Sequence, residues 1–180
     1  MNLFRALSYK EWIKTRRLIG VMLLLMAAAV GYTYIDLTHE IRLNEAVNVW
    51  YGCLFQGTSV APWMMYLLPL AGIALGVVQY VPEMTQKRLK LTLHLPYPQQ
   101  RMILLMLLAG VAQISIVFLL QAASLWIYLQ QHIASEMVSR ILLTATPWYI
   151  CGYTAYLLTA WICLEPTWKL RIVNLLIAAG

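Results

Sequence analysis

Apolar residues run along this chain in long uninterrupted blocks, at residues 18–35, 60–81, 102–129 and 141–164, and no Asp, Glu, Lys or Arg falls inside any of them. Their lengths of 18, 22, 28 and 24 residues match the roughly 20 residues a helix needs to cross a hydrocarbon core about 30 Å thick. Barrel strands would instead alternate polar and apolar positions over about 10 residues. The pattern therefore predicts an all-α, polytopic helical membrane protein with four complete spans. At about 1.5 Å per residue the third block reaches about 42 Å, so this span is expected to tilt or to project from the bilayer. A fifth block, 172–180, holds nine residues and is too short to cross. It reads as the start of a fifth span that a longer polypeptide completes.

The polar stretches between the blocks predict two further elements. Before the first span, Leu3, Phe4, Leu7, Trp12 and Ile13 interleave with Arg5, Lys10, Glu11, Lys14, Arg16 and Arg17. That mixture suits residues 1–17 to a helix lying in the membrane interface. It is not the front of a cleaved signal, because the apolar run that follows exceeds the usual 7–15 residues and lacks a small-residue cleavage site before a polar start. Between the second and third spans, Pro82 suits a first helical turn. Glu83 favours the positive helix end, and Glu83 with Lys87 makes an i,i+4 pair of the better orientation. Pro96 and Pro98 then stop the helix. A short charged helix over 82–95 is a shape that a second protein can grip; the simpler reading is a connector lying on the surface.

Composition agrees with the blocks: 62% of the 180 residues are hydrophobic and 11% charged, against about 25% charged in soluble domains. The charge also sets an orientation. Of 13 basic residues, five precede the first span, four (Lys87, Arg88, Lys90, Arg101) lie between the second and third, and two (Lys169, Arg171) follow the fourth. Only Arg42 and Arg140 occupy the alternate loops. By the positive-inside rule the N-terminus of this multi-pass membrane protein is expected to be cytoplasmic. The basic residues are expected to meet membrane lipids, and no segment is large enough to form a separate nucleic-acid-binding module.

Within the spans, Gly72 and Gly76 have the small-xxx-small spacing of close helix packing, and Pro69 is expected to kink the same helix. Gln113 and Gln121 need partners or water inside the third span. They are candidates for a translocation path together with Tyr149 and Tyr153, and for interhelical hydrogen bonds equally well. Trp148 and Trp161 are placed as interface anchors. Chemistry-bearing motifs are missing: the chain has no G-x4-G-K-[ST], H-E-x-x-H, C-x-x-C or G-x-S-x-G, so no catalytic residue, metal site or ATP hydrolysis is assigned to it. Cys53, Cys151 and Cys163 are isolated, and His132 with Glu136 lacks the further ligands a metal needs.

The run Glu11-Trp12-Ile13-Lys14-Thr15-Arg16-Arg17, followed later by Glu83, Lys87, Leu93, Leu95-Pro96 and Arg101, resembles permease subunits of the type 2 ABC exporter family. The resemblance implies an N-terminal elbow helix (Glu11, Trp12, Lys14, Arg17), six spans when complete, and a coupling helix (Glu83, Lys87, Arg88, Leu91) that docks on a cytoplasmic ABC ATPase. It also implies a second permease copy or homologue. ATP and Mg would be bound by the ATPase and no cofactor by this chain, whose role would be mechanical and not enzymatic. Arg101 stands five residues beyond Pro96, farther than in that family's pattern. Two other classes remain open on the residues alone: a membrane binding or scaffold subunit without ATP-linked motion, and an intramembrane lipid-modifying enzyme, which the lack of charge in the spans disfavours.

Overall fold

In the computed structural model, residues 3–52, 55, 60–85, 98–165 and 167–179 are described. Helices account for the regular structure among these residues, with no strand. They are α1 (Leu3–Tyr51), α2 (Met64–Thr85), α3 (Gln99–His132), α4 (Ser135–Leu164) and α5 (Trp168–Ala179). Ser8–Leu43 of α1, Met64–Thr85 and Gln100–Gln131 of α3 are long and apolar enough to cross a membrane. These three segments point to a membrane protein. The fourth expected span lies on α4, 30 residues long, where Thr144, Thr146, Trp148, Tyr149, Tyr153 and Thr154 dilute the aliphatic residues; α4 is not one of the three.

The helix limits follow the breakers in the sequence. Residues 3–19 and 36–51 contain neither Gly nor Pro, so nothing stops α1 at the expected start or end of its span. Its 49 residues extend about 73 Å. The stretch expected to form a separate interfacial helix is thus the first part of α1, continuous with the span, and the expected outer loop after Ile35 is helical to Tyr51. Pro82 likewise sits inside α2 and does not open a new helix. Pro98 precedes α3, and its carbonyl accepts from the Arg101 and Met102 amides. At the far end of α4, Arg171 donates to the carbonyls of Glu165 (2.6 Å) and Cys163 (3.2 Å), which the helix itself leaves without donors.

In the bundle α1 packs on α2 and α3, α4 packs on α2 and α3, and α2 and α3 also meet directly. The most extensive contact joins α2 to α4. Glycine permits it: Gly72 faces the backbone of Gly152 and Tyr156, and Gly76 faces Thr159. A methyl group on Gly152 would lie 2.6 Å from Phe118 Cζ and 3.0 Å from the Leu68 carbonyl. Such backbone approach gains dispersion and weak polar contacts that larger side chains forbid. Around it lie fully buried Leu68, Leu75, Leu125 and Leu129, while Leu24, Leu119 and Leu143 are exposed on the outer surface, as a bilayer-facing helix requires.

Gly72→Ala and Gly152→Ala should each cost about 1–3 kcal/mol by overpacking. Gly20→Ala and Gly31→Ala, where nothing lies within 4 Å of an added methyl, should be neutral or stabilise by up to about 1 kcal/mol. Denaturation curves in detergent micelles measure both.

Candidate functional site: a buried ionic junction

Three residues on one stripe of α1, Glu11, Lys14 and Thr15, have the i, i+3, i+4 spacing that puts them on a single helix face. In the fold that face points inward, and Glu11 and Thr15 are completely buried. Opposite it stands Glu83, 1% exposed, on the last turn of α2. The Lys14 ammonium donates to Glu83 Oε1 (2.8 Å), to the Gln79 backbone carbonyl (3.1 Å) and to Glu11 Oε1 (3.4 Å). Lys10 pairs with the same Glu83 oxygen at 2.9 Å. Two carboxylates and two ammonium groups form a neutral cluster, the arrangement that makes buried charge tolerable.

Hydrogen bonds continue from this cluster into the other helices. The Thr15 hydroxyl lies 2.8 Å from Gln113 Oε1 on α3 and 2.9 Å from the Glu11 carbonyl. Gln79, also completely buried, donates through Nε2 to the Met106 carbonyl (2.9 Å) and accepts at Oε1 from the Tyr156 hydroxyl of α4 (2.9 Å). Tyr80 completes the group, its hydroxyl 3.4 Å from that of Tyr156. Gly110 leaves room for it: a methyl there would fall on the Tyr156 hydroxyl and the Gln79 amide oxygen. All four long helices therefore meet at one polar junction.

Farther along, the Tyr149 hydroxyl donates to Gln121, the Tyr153 hydroxyl donates to Ser115 (2.9 Å), and both rings pack edge-on against Phe118. These contacts bind α3 to α4. An apolar groove of about 360 Å³, lined by Leu25, Tyr32, Trp63 and Leu70 among others, lies between α1 and α2, away from the junction.

The candidates named from the sequence thus divide. Glu11, Lys14, Glu83 and Gln113 come together. Gln121, Tyr149 and Tyr153 bond one another's helices, and Gly72 and Gly76 make the α2–α4 contact. Trp12 and Arg17 face outward. Lys87, Arg88 and Leu91, with the expected helix beyond Thr85, lie outside the described residues. Glu83 itself, expected on a docking surface, is inside the bundle because two lysines of α1 reach it. Thr15, Gln79 and Tyr80 carry the junction without having been singled out. Gln79 gave the same signal as Gln113, an amide in an apolar block; Tyr156, one of several aromatic residues on α4, carries no local spacing that marks it. Among the described residues no three His, Cys, Asp or Glu side chains are grouped as a metal site would need. Protein-family models, curated proteins and solved structures returned no match to this chain.

Removing one partner of a buried ion pair strands the other. Glu83→Ala should cost about 3–5 kcal/mol, whereas Lys10→Gln, at a side chain 37% exposed, should cost less than about 1 kcal/mol. Tyr156→Phe, which leaves the Gln79 oxygen without its donor, should cost about 1–3 kcal/mol. Chemical denaturation of the three variants in micelles gives the ranking directly.

Proposed function

We propose that this chain is a membrane-spanning permease subunit of the type 2 ABC exporter kind, moved by a separate cytoplasmic ATPase and working beside a second permease. The reading places its N-terminus in the cytoplasm of an inner-membrane protein, with α4 as a fourth span. ATP and Mg belong to the ATPase, and this chain carries no catalysis of its own.

One observation supports it above the others. Glu83 stands two residues before the end of α2, beside the segment expected to dock on the ATPase, and it is tied to α1 by Lys10 and Lys14. A pull on that segment would act on a joint already shared by α1 and α2, and through Gln79 and Tyr156 by α3 and α4. A ligand or partner shifts such an equilibrium only by its differential contacts with the two states. A charged joint supplies contacts whose loss is costly, so it can hold two discrete arrangements apart. The glycine-lined α2–α4 contact also suits a static scaffold subunit, and capture of an ATPase separates the two readings.

The affinity-tagged chain, extracted from its native membrane, should bring an ATPase with it. Lys87→Glu with Arg88→Glu should lower that capture at least about tenfold, the factor that corresponds to about 1.4 kcal/mol. Glu83→Gln, altering a buried group, should leave capture intact. Failure to capture an ATPase, or capture indifferent to the Lys87 and Arg88 changes, would contradict the proposal.

A further inference from the structure

The first turns of α1 carry two interleaved stripes. Glu11, Lys14 and Thr15 point into the bundle; Tyr9, Trp12, Ile13 and Arg16, spaced i, i+3, i+4 and i+7, point out of it, with Arg17 beside them. All five outward residues are exposed. Such a face has an unusual charge balance. Glu11, the one acidic residue of the first 35, is turned inward and engaged by Lys14. Glu83 is engaged by Lys10 and Lys14, and residues 86–97 contain no acid at all. Glu165 belongs to the α4–α5 corner, where Thr167 donates to it. The lysines are thus neutralised within the protein, and among the described residues Arg16 and Arg17 have no ion-pair partner.

We propose that this outward face, through Arg16 and Arg17, binds the phosphate-bearing headgroups of anionic membrane lipids. Two features of the face fit that occupant. Guanidinium groups match phosphate oxygens bidentately. Tyr9 and Trp12 have the amphipathic rings that settle at headgroup depth, and Ile13 supplies an apolar contact beside them. The inference rests on placing this end of α1 at the inner, anionic leaflet, as in the reading above. It needs no ATPase, so its failure would leave the transport reading standing.

Each arginine near an anionic surface contributes about fivefold to lipid affinity, about 25-fold for the pair. The experiment places the full chain in nanodiscs of equal phosphatidylglycerol and phosphatidylcholine and uses native mass spectrometry to count the lipids it retains on release. Arg16→Gln with Arg17→Gln should reduce the preference for phosphatidylglycerol about 25-fold. Arg16→Lys with Arg17→Lys should keep most of it, and Arg42→Gln with Arg140→Gln, exposed arginines at the opposite end, should leave it unchanged. Circular dichroism confirms that the variants remain helical. An unchanged preference in the Arg16 and Arg17 glutamine variant, or an equal loss in the Arg42 and Arg140 variant, overturns the assignment.

Discussion

A carboxylate withdrawn from water must be paired or give up its charge, and in this bundle that requirement falls on Glu83. Both lysines that satisfy it come from α1, so the end of α2 is held against the beginning of α1 by charge as well as by packing. Inside a membrane the usual hydrophobic force between helices is absent, because lipid tails are as apolar as leucine. Polar contacts and close packing must then specify which helices meet. The junction does so for one end of the bundle: Lys14 also holds the Gln79 carbonyl, and the Gln79 side chain reaches α3 and α4.

The rest of the fold is built to keep that junction in register. Gly72 and Gly76 bring α2 onto α4 at backbone distance, which sets the height at which Tyr156 meets Gln79. Gly110 clears the space into which both side chains extend. Farther from the junction, Tyr149 and Tyr153 fasten α4 to α3. A displacement at the end of α2 therefore has a connected set of bonds to act on, whereas the exposed face of α1, with Trp12 and Arg16, stays turned away from them.

Three of the four apolar blocks were legible as membrane-crossing helices, because bilayer thickness sets the length such a helix needs, whereas the fourth lies on α4, where Thr, Tyr and Trp residues dilute the apolar run. Helix limits were less so. The polar residues 36–51 resemble a loop by charge, yet without Gly or Pro nothing ends the helix before Gly52. The two faces of the first turns were blurred for a related reason: charged Glu11 and Lys14 lie inward and apolar Trp12 and Ile13 outward, the reverse of a soluble amphipathic helix. Glu83 was recognised but misplaced, since a charge following an apolar block looks solvent-facing until its partner is known. That partner, Lys14, is 69 residues away, and no local spacing announces a pairing at such separation. Small-residue spacing similarly marked Gly72 without identifying Gly152 as what it meets.

The central claim is that Lys14 and Glu83 interact as charges across the α1–α2 interface, and exchanging them tests it most directly. Unfolding free energies in bicelles would be compared for Lys14→Glu, Glu83→Lys and the two together. Each single change places like charges in the junction and should be strongly destabilising, while the double variant restores its neutrality and should recover most of the loss, a coupling well above the few tenths of a kcal/mol seen between independent sites. Additive losses in the double variant, or single changes that cost nothing, would contradict the account.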